Sequence, residues 1–512
     1  MVSNLYSMGI DGVNAFVVKI ESDVSQGMPM CDIVGLPDVA VKEAKNRVRS
    51  AIKNSGFKFP VARITINLAP AAIRKTGSLY DLPIFLSILH ASNQIACDLN
   101  NSIFIGELSL SGEVCPVSGV LSMTLKAKEL GFENIFVPYD NSSEASVIDG
   151  INIYAIRNVS ELIEHLNKNK IIKPCDITII NKNSYNKLLD FSEVKGQYEV
   201  KRALEITAAG GHNILLIGPP GSGKSMLAKR MVSILPEMSF DEMIETTTIY
   251  SISGLLNKEC PIITERPFRA PHHTISAPGL CGGGNPPKPG EVSLAHNGML
   301  FLDELSEFSR TTLESLRQPL EDGNITIARV QSSTEFPCSI MLIAAMNPCP
   351  CGYYGHPKVA CTCSGLQIEK YLSKISGPIL DRIDIHIEVP AVSFEDLNST
   401  EVSESSSEIR ERVNKARNLQ FKRYNKYHEY KIFSNVQLPS SLLPEVCKLT
   451  SSAEIALHKA FDSMSLSARA YNKILKISRT IADLENSEFI DILHVAEALQ
   501  YRALDKKYFF SK

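Results

Sequence analysis

Residues 214–230 constrain the chain more than any other stretch. Ile214, Leu215, Leu216 and Ile217 form an aliphatic run long enough for a buried strand. Gly218, Pro219, Pro220, Gly221, Ser222, Gly223, Lys224 and Ser225 then satisfy every fixed position of the pattern G-x-x-x-x-G-K-[ST]. A helical segment follows from Met226. Strand, glycine loop and helix, in that order, make a phosphate cradle. Backbone N–H groups converge at a helix N-terminus, where the dipole favours anions, and glycines let the main chain approach closely. Lys224 is placed to meet the β and γ phosphates, and Ser225 to offer an oxygen to Mg²⁺. The expected ligand is a nucleotide.

Bulk properties set the frame. A chain of 512 residues is long enough for about three domains. With 44% hydrophobic and 21% charged residues it can bury real cores. The formal net charge of −3 gives no global attraction to nucleic acid, so any such contact must be local. No run of 18 apolar residues suggests a membrane span, and the N-terminal residues do not read as a signal peptide. The expectation is a cytoplasmic protein without membrane contact. Its twelve cysteines are then thiols or metal ligands rather than disulfides.

A second motif lies within one domain's length of the first. Gly298-Met-Leu-Phe-Leu is an apolar run that ends in Asp303 and Glu304. This suits a strand whose tip presents one carboxylate to Mg²⁺, Asp303, and one to the attacking water, Glu304. Residues 313–322 read as one helix stopped by Gly323. Residues 324–330 and 335–340 read as a β-hairpin, and the strand 340–346 ends at Asn347. Cys349, Cys351, Cys361 and Cys363 fall in a turn-rich loop just beyond. Four thiolates can close on one tetrahedral Zn²⁺; reduced structural thiols or two disulfides are the alternatives, and His356 is a spare ligand. His272 and His273 read as buried, satisfying backbone groups. The segment 409–426 is a basic helix, with Phe421, Tyr424, Tyr427, Tyr430 and Lys431 beyond or between its charges. A solvated face with a half-buried aromatic side suits it better than contact with single-stranded nucleic acid.

Two resemblances extend this reading. Residues 106–119, the helix after them and Ile135-Phe-Val-Pro138 resemble the C-terminal proteolytic domain of Lon-type proteases, an S5-like α/β unit. That resemblance puts the serine nucleophile at Leu79 and its lysine partner at Leu121, so the dyad is missing and a protease is disfavoured. Pro267-Phe-Arg-Ala-Pro-His-His-Thr-Ile-Ser276, Asp303-Glu304, Leu316-Arg-Gln-Pro-Leu-Glu-Asp-Gly323 and Ala345-Met-Asn-Pro-Cys-Pro-Cys-Gly352 together resemble the magnesium-chelatase-like AAA+ family, and within it the YifB/ComM group. The implied fold class is α/β: a non-catalytic Lon-like domain (1–172), a linker (173–190), an AAA+ P-loop core with a parallel sheet (191–392) and a helical lid (393–512).

The same resemblance implies roles. Asn347 takes the sensor 1 position, Arg382 the arginine finger reaching a neighbour's nucleotide, and Arg469 sensor 2, with Arg479 as its alternative. ATP is expected between core and lid. It implies a homohexameric ring and insertions at 253–290 and 324–340 facing its pore, where Arg266, Arg269, Lys288 and Arg329 could track a phosphate backbone. The implied activity is ATP-driven DNA translocation, as in the branch migration associated with natural transformation, with recombination or transformation proteins as partners. The alternative from the same family is an ATPase subunit that drives metal insertion into a porphyrin.

Overall fold

The computed structural model describes residues 2–178, 189–257, 260–328, 333–391, 403–430, 432–464, 466–504 and 508–509. The first unit is a mixed sheet in the order Met30–Val34, Arg63–Ala69, Asn14–Ser25, Val2–Asp11, Ser102–Phe104, Asn134–Pro138, Asn152–Ile156. Alternation places Leu5, Val18, Ile20, Ile64 and Ile66 inside. The helices Val39–Asn54 and Asp81–Ala91 cover that face. Asp81 is fully buried and held by a bidentate Arg47, at 2.6 and 2.9 Å; burial nevertheless raises its pKa. Leu79 sits in this core and Leu121 at its border, both buried. Apolar packing thus occupies the two positions at which the Lon resemblance would require a serine and a lysine.

The second unit is a parallel sheet in the order Phe268–Arg269, Met299–Leu302, Met341–Met346, Ile214–Ile217, Ile385–Glu388. Its central strands are apolar runs because both faces are covered. One face shares a core with the helices Ser406–Tyr424, Ala468–Leu484 and Ile492–Leu504, which form the lid. The helix expected over 313–322 is two pieces, Arg310–Glu314 and Arg317–Asp322. Pro319 explains the break: it lacks an N–H and tolerates only the first turn of a helix. Gly323 ends the second piece with φ 67°. The hairpin forms from Asn324–Ala328 and Ser333–Pro337, antiparallel; Arg329 lies outside the described residues.

The two units touch. Leu121, Val147 and Ile148 of the first pack on Met238, Met243 and Ile262 of the second. Buried Glu144 accepts from the Leu121 N–H at 2.9 Å and from the Ser251 hydroxyl of the helix Phe240–Ser253. The turn at Gly12 reaches the hairpin so closely that a Cβ there would stand 2.8 Å from Thr334 Cγ2. Among the described residues no helix is long and apolar enough to cross a membrane.

Candidate active site

In an open parallel sheet, ligands bind beyond the carboxyl ends of the strands, where the strand order reverses. Here the first strand, Ile214–Ile217, lies between Met341–Met346 and Ile385–Glu388. The phosphate loop, Asp303 with Glu304, and Asn347 therefore emerge side by side. Gly218 has no room for a side chain, since a Cβ would meet Val389 O at 2.3 Å. Gly223, at φ 85°, caps the helix Lys224–Arg230 in the left-handed region.

Lys224 Nζ donates to Gly218 O at 2.8 Å, Pro219 O at 2.9 Å and Asn347 Oδ1 at 3.2 Å. Burial lowers its pKa, and Asp303 partly offsets this. The Ser225 hydroxyl donates to Asp303 Oδ2 at 2.5 Å. The hydroxyl and carboxylate thus meet at one point, a donor set suited to a hard cation such as Mg²⁺. Glu304 is a non-glycine residue at φ 53° and ψ 49°. Such conformations cost of order 1–3 kcal/mol and persist where the surroundings hold them. These groups line a cleft of about 1160 Å³ with Pro220, Gly221, Ser222, Gly223, Cys351, Cys363, Gln367, Lys370 and Tyr371.

Several residues stand elsewhere than expected. His272 is exposed and His273 half-buried, so neither is a core histidine. Instead His273 Nδ1 lies 3.3 Å from Glu304 Oε2. The segment 267–276 leads straight from the edge strand to the acid at the cleft. Arg266 is tied to Glu242 at 3.0 Å and to two backbone carbonyls at 2.7 Å. Arg269 forks onto Glu291 at 2.6 and 2.8 Å. Both are committed inside the fold, whereas Lys288 of that insertion is exposed. The basic helix, observed at Ser406–Tyr424, spends Arg410 on Ser233 O, Arg412 on Glu205 and Glu404, Arg417 on Ala208 O and Arg423 on Asp483. It is a packing element. Lys431 lies outside the described residues.

Among the described residues the lid contributes none to the lining of the cleft. Arg469 is exposed and meets Glu321 Oε1 at 3.7 Å. Arg382 donates to the other oxygen of Glu321, to Arg317 O at 3.0 Å and to Pro378 O at 2.7 Å. One carboxylate thus gathers both arginines outside the chain's own cleft. Arg479, the alternative, is 1% exposed and bonded to Asp483, Ser487 O and Glu488 O within the lid; it cannot serve as a sensor. Asp384, two residues beyond Arg382, turns inward. It is buried, accepts the Asn213 N–H at 3.0 Å, and pairs with Lys473 of the lid at 2.9 Å. Lys473 and the bonded N–H hold its carboxyl far below the usual range despite burial.

The cysteines converge. The Sγ atoms of Cys349, Cys351, Cys361 and Cys363 all lie within 4.8 Å of one another. His356 is not among them; its Nδ1 accepts from the Lys358 and Val359 N–H groups at 3.1 and 2.9 Å.

Comparison with known proteins agrees with this geometry. Residues 190–397 match the family model described as "Magnesium chelatase, subunit ChlI", residues 20–141 that of "Subunit ChlI of Mg-chelatase", and residues 403–502 the ChlI C-terminal model. The chain is 44% identical to "Competence protein ComM" of Haemophilus influenzae, over 98% of this chain and 97% of that protein. It is 43% identical to YifB of Escherichia coli, over 97% and 96%. "Lon protease 2" of Bacillus subtilis is 31% identical over 24% of this chain and 22% of that protein.

Proposed function

The chain belongs to the YifB/ComM group of magnesium-chelatase-like AAA+ ATPases, and from that premise we propose that it is a homohexameric ring motor that hydrolyses ATP to translocate DNA. One observation carries the ring. Lys224, Ser225, Asp303, Glu304 and Asn347 meet in one cleft, while Arg382 and Arg469 meet on Glu321 away from it. A site with a cradle, a water-orienting acid and, among the described residues, no arginine is completed by a second copy presenting that Glu321 face.

Lys224 and the loop N–H groups bind the phosphates. Ser225 and Asp303 would hold Mg²⁺, which supplies charge neutralisation. Glu304 orients the lytic water, and Asn347 bridges Lys224 to the strand tip. A neighbour's Arg382 meets charge developing in the transition state, an effect worth about 10³–10⁵ in rate elsewhere. His273 links Glu304 to the insertion 253–290, giving a path from a bound polymer to the catalytic acid.

DNA as the polymer rests on the resemblance to the YifB/ComM group and on the relative named a competence protein. The test is ATP turnover with and without forked DNA, together with strand exchange on a three-strand junction. The reading expects DNA-stimulated turnover and ATP-dependent exchange, both lost in Glu304→Gln. Turnover indifferent to DNA, or unaltered in Glu304→Gln, refutes it.

A further inference from the structure

Four cysteines stand where core packing does not require them. Cys349 is buried, but Cys351, Cys361 and Cys363 are only half-buried, on turns rather than in a regular element. Their sulfurs are 3.3 Å (Cys349 to Cys351), 3.7 Å (Cys349 to Cys361) and 3.5 Å (Cys351 to Cys361) apart. Four thiolates at about 2.3 Å from one tetrahedral ion stand about 3.8 Å from each other, so small shifts suffice, slightly outward for these three pairs, to seat an ion among sulfurs that all lie within 4.8 Å of one another. Two backbone N–H groups point at sulfur: Cys351 N to Cys363 Sγ at 3.4 Å and Tyr354 N to Cys349 Sγ at 3.3 Å. Such donors stabilise thiolate charge and orient metal ligands. A set of four sulfurs selects zinc or an iron–sulfur cluster, and with four protein ligands on a single ion there is no open position for catalysis.

The loop is also one wall of the nucleotide cleft. Pro350, Cys351, Thr362 and Cys363 line it opposite the phosphate loop. Gly352, at φ 85°, packs so tightly that a Cβ would stand 2.4 Å from Pro220 Cδ. On the N-terminal side the loop begins two residues after Asn347, which accepts from Lys224. On the C-terminal side Ser364 caps the helix Gly365–Leu372, whose Gln367, Lys370 and Tyr371 face the cleft. The two cysteine pairs therefore stand at the end of the strand Met341–Met346 and at the start of this helix, so an ion held by both would tie the two elements together.

We propose that Cys349, Cys351, Cys361 and Cys363 bind one structural Zn²⁺, and that this ion holds the cleft wall against the phosphate loop, so that zinc loading controls nucleotide affinity. The second half of the proposal rests on the nucleotide reading of the cleft; the first half does not. Full-length protein purified without chelator is assayed for metal by mass spectrometry and for binding of a fluorescent ATP analogue. It is assayed as isolated, after zinc removal with a mercurial reagent and chelator, and after thiol restoration and zinc return.

The account expects about one zinc per chain, lost in Cys361→Ser and Cys363→Ser but kept in Cys260→Ser, and a reversible weakening of nucleotide binding of about tenfold or more on removal. Should the serine variants fail to fold, cobalt substitution of the wild type reads the site instead, through the charge-transfer and d–d bands of a tetrahedral thiolate centre. Free thiols without metal, a pair of disulfides, or an iron–sulfur spectrum overturns the zinc site. Zinc present, with nucleotide binding indifferent to its removal, overturns the coupling. Zinc present in a protein that never binds nucleotide overturns the cleft reading and leaves the metal site standing.

Discussion

Asp384→Asn tests how the lid is fastened to the ATPase core. The carboxylate is 6% exposed and the Lys473 side chain 16%. Asparagine keeps an oxygen for the Asn213 N–H but leaves the ammonium without its counter-charge, although Lys473 retains Ile383 O at 3.0 Å. Breaking a buried pair from one side costs about 3–5 kcal/mol. The residual exposure of Lys473 points to the low end, about 3 kcal/mol, or roughly a hundredfold in an opening equilibrium. Hydrogen exchange read by mass spectrometry over the helix Ala468–Leu484 measures that opening directly. It also avoids fluorescence, which the chain, with no tryptophan, serves poorly. The variant should accelerate exchange in that helix about a hundredfold at pH 7. Adding Lys473→Met removes the stranded charge and should return exchange to within about tenfold of wild type, since an apolar replacement of a buried pair is often neutral. A threefold effect or less in the single variant, or no recovery in the double, would refute the reasoning.

Three further outcomes follow from the same geometry. His273→Ala frees Glu304 from its 3.3 Å partner; steady-state kinetics should show kcat changed by about tenfold with KM for ATP nearly constant, because a positioning contact acts on the chemical step. Gly352→Ala forces a Cβ onto Pro220 at a left-handed φ, and calorimetry should show ATP binding weakened by roughly five- to 150-fold, a cost of about 1–3 kcal/mol. Burial holds His212 below its ordinary 6.5. The unfolded chain therefore takes up a proton that the folded one refuses, and urea unfolding should show stability falling as pH drops below about 6.5, with the loss removed in His212→Gln.

What was legible in the sequence was local. The phosphate loop, the strand before Asp303 and the sensor strand could be read because strand, turn and helix follow one another within a few residues, and the glycines state where the backbone must bend. The segment that the family resemblance marks as a helical lid carries the helices Ser451–Met464 and Ala468–Leu484. What could not be read were pairings across long sequence separations. Arg266 and Arg269 look like a basic pore lining until Glu242 and Glu291 are seen to occupy them. Asp384 carries no local sign of its partner, Lys473, which lies about ninety residues on. His273 beside Glu304 left one weak signal, a histidine pair in a proline-rich connection leading out of a strand. Glu321 left none: an acid at the end of a short helix is ordinary until two arginines from distant segments arrive at it.

Mixing two inactive variants tests the central claim most directly. Glu304→Gln subunits keep Arg382 but cannot position water; Arg382→Ala subunits keep a whole cleft but offer no finger. If each site is completed by a neighbour, the mixture forms junctions that join an intact cleft to an intact arginine, and ATP turnover should rise well above that of either variant alone, greatest near equal proportions. Mixed assemblies that form, as seen by native mass spectrometry, yet hydrolyse no faster than their components would contradict the account.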